Sequence, residues 1–151
     1  MQVQHGNYLI SDEPGRLDVA AIHAYLTRVY WSEGIPLSTI TRALQGSLCV
    51  GVYAADGAQV GLVRIISDYA TYAYVCDVYV LESHRGRGLA KAVLQATFTH
   101  PKLQGLRRMN LVTRDAHGLY SQFGFTAITH PDRYMAKLDP DIYRRPVASP
   151  P

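Results

Sequence analysis

The residues with the clearest chemical potential lie between Asp77 and Lys91. An apolar, aromatic run ending Val78-Tyr79-Val80-Leu81 passes into Glu82-Ser83-His84-Arg85-Gly86-Arg87-Gly88 and then into Leu89-Ala90-Lys91-Ala92. This is the pattern of a strand, a glycine turn and a helix start. Gly86 and Gly88 permit a sharp turn and let a ligand approach the main chain closely. The helix start adds N–H groups with no intrahelical partner, at the positive end of the helix dipole. Together these features form a site for a phosphate or pyrophosphate, with Arg85, Arg87 and Lys91 adding mobile positive charge. A Walker A loop is excluded, because Leu89-Ala90 stand where Lys-Ser/Thr is required. A dinucleotide fingerprint is excluded because Lys91 stands where its third glycine belongs. Asp77 is a carboxylate interrupting an otherwise apolar strand just before this turn.

What remains is Arg-x-x-Gly-x-Ala, carried by Arg85, Gly88 and Ala90. It resembles the acetyl-CoA motif of the GNAT (GCN5-related N-acetyltransferase) superfamily, Gln/Arg-x-x-Gly-x-Gly/Ala. A second segment, Ala116-His117-Gly118-Leu119-Tyr120-Ser121-Gln122-Phe123-Gly124-Phe125, is similar to that family's Ala-x-x-Leu-Tyr-x-x-x-Gly-Phe. Two independent motifs in the right order are far more specific than either alone.

The resemblance implies acetyl transfer from acetyl-CoA to the primary amine of a small molecule or peptide. The amine attacks directly, with Tyr120 as general acid toward the departing sulfur. It also implies that the main chain of Val78, Tyr79 and Val80 pairs with the pantetheine arm like an added strand. The stretch Arg85, Gly86, Arg87, Gly88, Leu89 and Ala90 would hold the pyrophosphate. Asp77 would bind the acceptor amine or relay its proton, unless it is a structural carboxylate bonded to a neighbouring loop. Acceptor contacts would come from Tyr30, Trp31, Glu33 and Tyr74, whose aromatic surfaces suit a cationic amine. Family members often carry Asn before the tyrosine helix, whereas this chain has Thr113-Arg114-Asp115, so cofactor contacts there are open. His117 neighbours Tyr120 on the same helix, an offset that by itself gives it no catalytic role, and His84 is expected at the surface. The competing reading is a non-catalytic acyl-CoA-binding regulatory module, against which the intact Tyr120 argues.

The elements that must position these groups follow in order. Val3 to Ile10 reads as one strand, and Leu17 to Tyr30 as an amphipathic helix. Pro36 opens a second helix bearing Leu37, Ile40 and Leu44, with Gly46 past its end. Leu48–Tyr53, Gln59–Ser67 and Thr71–Val80 form three consecutive strands, the first two joined by Asp56-Gly57. A helix from Gly88 to Phe98, a strand Leu106–Thr113 and a helix Asp115–Phe123 come next, then closing strands Phe125–Thr129 and Tyr134–Leu138. The fold class is α+β, a mixed and mostly antiparallel sheet flanked by helices in three layers. Residues 1–140 are read as one domain and 141–151 as a flexible, proline-rich tail.

Composition sets the outer limits. The chain has 151 residues, 48% hydrophobic and 18% charged, with a formal net charge of +3. That mild basicity suits an anionic cofactor and falls short of a nucleic-acid binder. Cys49 and Cys76 lie in strand-like apolar runs and read as reduced thiols of a cytoplasmic protein. No apolar run approaches the ~18 residues of a membrane span, so no membrane partner is expected. No metal-ligand cluster is seen, so the reaction is expected to need no metal. Edge strands near the C-terminus allow a homodimer.

Overall fold

The computed structural model describes residues 1–145. It contains a six-stranded sheet in sequence order, flanked by helices on both faces. The first expected strand is two: β1 (Gln2–His5) and β2 (Tyr8–Ser11) form an antiparallel hairpin. Its two-residue loop begins with Gly6 at φ 55°, where glycine costs least. The first helix is shorter than the periodicity of 17–30 implies. Asp18 caps α1 (Val19–Leu26) by accepting from the Ala21 N–H at 2.9 Å, fixing its start. Beyond Leu26 the chain turns back, and Gly34 N–H donates to Thr27 O at 2.9 Å. Pro36 then precedes α2 (Leu37–Gln45), as expected.

Strands β3 (Leu48–Tyr53), β4 (Gln59–Ser67) and β5 (Tyr72–Val80) form the expected antiparallel meander. Helix α3 (Leu89–Phe98) crosses to β6 (Arg108–Leu111), which lies parallel to β5. The ladder between them runs from Tyr72↔Arg108 to Val75↔Leu111 and stops there, while β5 continues to Val80.

A bulge in β5 shapes everything downstream. Val63 pairs with Val78 and Ile65 with Val75, so Cys76 and Asp77 together oppose Arg64. One extra residue reverses the alternation of side chains between the two faces. Ala73 and Val75, then Val78 and Val80, face the α3 side, where they pack with Ile10, Val50, Val93 and Leu94. Tyr79 instead joins Ile22, Leu26, Ile40 and Leu62 under α1 and α2.

Two expectations at the C-terminal end are corrected. The sixth strand is confined to Arg108–Leu111, and α4 spans only His117–Ser121. Neither Phe125–Thr129 nor Tyr134–Leu138 is a strand, and neither makes ladder hydrogen bonds among the described residues. A 3-10 turn at Pro131–Arg133 separates the two, and Tyr134 Oη accepts from Arg108 Nη1 of β6 at 3.3 Å. Within the expected tail, Ile142–Arg144 forms a 3-10 turn whose Tyr143 packs on the α1–α2 cluster. Residues 146–151 lie outside the described residues.

Leu94 is fully buried in the α3-side core. Leu94→Ala is expected to cost about 2–5 kcal/mol in chemical denaturation, since truncation there leaves a cavity.

Candidate active site

The glycine turn has the conformation its residues imply. Gly86 and Gly88 sit at φ 75° and 74°, in the left-handed region, and Gly88 is the N-cap of α3. A Cβ on Gly86 would meet nothing within 4 Å, so the turn opens outward. Leu89 is buried and Ala90 half-buried against the core, which leaves their main-chain N–H groups as what this turn offers a ligand. The same holds for Val78, Tyr79 and Val80. Their side chains pack inward, Tyr79 stacking on Tyr25 with ring centroids 3.9 Å apart. Past Val75 their strand has no ladder partner on the β6 side among the described residues.

The two arginines of the turn brace it. Arg85 Nε donates to Val80 O at 3.0 Å, and its Nη2 donates to Glu82 at 2.8 Å and Tyr25 Oη at 3.4 Å. Arg87 Nη1 donates to Tyr8 Oη at 3.0 Å, which in turn lies 2.9 Å from His84 Nδ1. His5 Nε2 is 3.1 Å from Arg87 O. The β1–β2 hairpin therefore clamps the turn from outside, and His84 is half-buried in that clamp rather than a plain surface residue.

The remaining candidate residues lie on α4 and between α1 and α2. Tyr120 on α4 is buried, its ring 5.9 Å from that of Phe125. Burial, with a smaller push from Tyr30, raises its phenol to about 12. Tyr30 and Trp31 meet edge to face at 5.1 Å, and both are partly exposed. Arg114 lies 3.9 Å over the Tyr30 ring. Trp31 Nε1 donates to Asp77 Oδ1 at 3.1 Å, while Arg64 Nε donates to Asp77 Oδ2 at 2.6 Å and Arg64 Nη1 to Ser47 Oγ at 3.1 Å. The Asp77–Arg64 pair is nearly dry, with side chains 7% and 13% exposed. One connected line thus runs from Tyr30 through Trp31 to Asp77 and Arg64, and Tyr120 lies near enough to Tyr30 to feel its charge.

Tyr30, Trp31, Asp77 and Tyr120, singled out in the sequence, are brought together. Tyr74 is half-buried near Asp77 and Arg64, its phenol raised mainly by burial. Glu33 is exposed and makes no hydrogen bond or ion pair among the described residues, so it stays outside the cluster. Sequence reasoning missed Arg64, Arg114 and Tyr8. Arg64 carries the same signal as Asp77, a lone charge in an apolar strand. Arg114 falls where the chain departs from the asparagine common before the tyrosine helix. Both thiols are free; burial raises that of Cys49 to about 12 and, as the largest cause, also raises that of Cys76. Among the described residues no group of three or more His, Cys, Asp or Glu is placed to hold a metal.

A turn that presents main-chain N–H groups, an open strand edge and a buried tyrosine make up the candidate site. Comparison with known proteins agrees with the resemblance of the two motifs. The Acetyltransferase (GNAT) family model matches residues 14–125. An inferred acetyltransferase of Gibberella zeae is 35% identical over 139 aligned residues, covering 78% of this chain and 77% of that one. The crystal structure of an inferred GNAT-family acetyltransferase from Xanthomonas campestris pv. campestris is similar at 45% identity and TM-score 0.89, covering 94% of this chain and all of that one. A Deinococcus radiodurans structure, at 20% identity and TM-score 0.67 over 93% of this chain and 94% of its own, shares the fold. The chain belongs to the GNAT acetyltransferase family, a family of enzymes that take acetyl-CoA as co-substrate.

Asp77→Ala is expected to cost about 3–5 kcal/mol in stability, because it leaves Arg64 buried without its carboxylate. Asp77→Asn, which preserves an acceptor for Trp31, is expected to cost less. Urea denaturation of both variants checks the order.

Proposed function

We propose that this enzyme acetylates the primary amine of a small molecule or peptide by direct attack, with Tyr120 as general acid. The observation that carries the reading is Tyr120 itself, a buried phenol raised to about 12 beside the aromatic mouth formed by Tyr30 and Trp31. Such a phenol keeps its proton throughout the neutral range and has it ready when negative charge builds on sulfur.

The β5 main chain from Val78 to Val80 would pair with the pantetheine arm, and the N–H groups from Arg85 to Ala90 would hold the pyrophosphate. Lys91, exposed one residue further into α3, supplies positive charge nearby. The neutral amine nitrogen attacks the thioester carbonyl carbon, forming C–N as C–S breaks. The Tyr120 proton passes to the leaving sulfur, and the nitrogen gives up its surplus proton, restoring the phenol directly or through water. Asp77 spends both oxygens on Trp31 and Arg64, which favours a role in positioning Trp31 over free proton abstraction.

The charge around the mouth bears on the acceptor. Arg64 already compensates Asp77, and Arg114 occupies a face of Tyr30, the surface that a cationic amine would have used. An acceptor amine with an anionic group close by fits this balance better than a polycation.

The test is acetyl-CoA-dependent release of free CoA thiol across amino acids, short peptides, arylalkylamines, aminoglycosides and polyamines. Tyr120→Phe is expected to lower kcat by about 10²–10⁴-fold while leaving acetyl-CoA affinity nearly unchanged. An equal loss of both would contradict the role. Because the phenol is raised to about 12, the wild-type pH–rate profile is expected to show no alkaline loss from phenol ionisation below that range. A Tyr120-dependent fall near neutral pH would contradict it.

A further inference from the structure

Tyr120 borders two different surroundings. Tyr30 lies close enough to act on its phenol, and Tyr30 with Trp31 is the aromatic surface assigned above to the acceptor. Tyr120 also lines a groove of about 1520 Å³, and neither Tyr30 nor Trp31 is part of that lining. Residues 108–113, which include β6, and residues 123–131 supply most of it. Arg108 and Tyr134, joined by a hydrogen bond at 3.3 Å, belong to it as well, so the chain itself bounds the groove beside the start of β6.

The lining next to Tyr120 is apolar and held in place. Phe98 meets Phe123 at 5.2 Å and Phe125 at 5.4 Å between ring centroids, and Phe125 meets Tyr120 at 5.9 Å. Met109 and Leu111 join them, and all five of these neighbours of Tyr120 are partly buried against the α3-side core. Among the described residues no Asp or Glu lines the groove, whereas Arg108, Arg133, His117 and His130 do. A cationic amine is therefore poorly matched to it, while an uncharged hydrocarbon chain meets no opposing charge. Asn110 Oδ1 is buried in this lining without a hydrogen-bond partner, so a chain laid beside it removes no water from it.

We propose that this groove receives the acyl chain, and that the enzyme transfers acyl groups longer than acetyl, of the butyryl to octanoyl class. The inference rests on the reading that places the thioester sulfur at Tyr120. The acyl carbon is bonded to that sulfur, so the carbons beyond the carbonyl start at the wall of the groove. An acetyl group has only a methyl to place there and leaves the groove empty. Each further methylene taken out of water tightens binding by about fourfold. The bonds made and broken are those of acetyl transfer. The amine nitrogen bonds to the acyl carbon as C–S breaks, the Tyr120 proton goes to sulfur, and the surplus proton on nitrogen restores the phenol. The products are free CoA thiol and a longer N-acyl amide.

Calorimetric titration of the enzyme with CoA, acetyl-CoA and hexanoyl-CoA tests the proposal without an acceptor. Hexanoyl-CoA carries four more methylenes than acetyl-CoA, and in an open groove part of that chain stays in contact with water. It is expected to bind at least about tenfold more tightly. Ala127→Trp obstructs the groove at an exposed position, and Met109→Ser removes an apolar side chain from its lining. Each is expected to reduce the preference at least about threefold, the loss of roughly one buried methylene, with acetyl-CoA affinity and circular dichroism unchanged. Equal affinity for the two acyl-CoAs would overturn this proposal alone, and so would a preference that both variants leave intact. Failure of all three ligands to bind would overturn the CoA site itself, and this proposal with it.

Discussion

The end of the parallel ladder at Val75↔Leu111 is the constraint on which the rest depends. A strand inside a sheet has no main chain to spare, and β5 gains some only because β6 stops pairing before β5 does. The exposed length is too short to unravel. It is held from the other side by β4 and from both faces by core side chains, so the bare edge is rigid. The candidate site is described around it. The glycine turn follows its end, α3 starts from that turn, and α4 buries Tyr120 in the same core cluster.

The bulge at Cys76–Asp77 does a second job on the same strand. By reversing the faces, it sends Asp77 to the α1–α2 side, where Trp31 and Arg64 wait, and lets Val78 and Val80 keep the α3 core. A buried ion pair is a weak source of stability, because desolvation offsets most of its attraction. Its service here is geometric: Arg64, Ser47 and Trp31 are fixed relative to one carboxylate. The exposed indole of Trp31 is thereby held in one place at the mouth of the site. The turn is fixed in a comparable way by Tyr8, which ties Arg87 and His84 to the first hairpin.

The parts of this arrangement visible in the sequence are those whose signal is local. Gly86 and Gly88 announce a turn because few other residues tolerate that backbone, and the apolar run before them is recognisably a strand. Tyr120 stood out through a motif of fixed spacing. Long-range pairing was hidden. Arg64 and Asp77 each looked anomalous in an apolar strand, yet their opposition depends on a bulge that alternation does not reveal. The first hairpin had a local signal, Gly6-Asn7, but strand character on both sides masked it. The segments Phe125–Thr129 and Tyr134–Leu138 have strand character without a ladder partner among the described residues. Pattern describes what a segment can do, and only the backbone packed beside it decides whether it does so.

The central claim is that the open edge of β5 and the glycine turn form one preorganised acetyl-CoA site. The most direct measurement is the melting temperature of the enzyme as acetyl-CoA is titrated, with Gly86→Val as the control that obstructs the turn. Binding to the folded state alone is expected to raise the melting temperature in step with ligand concentration, worth about 2.7 kcal/mol at a hundredfold excess over Kd. The shift should be lost in the variant. An unchanged melting temperature in the wild type, or an equal shift in both proteins, would contradict the account.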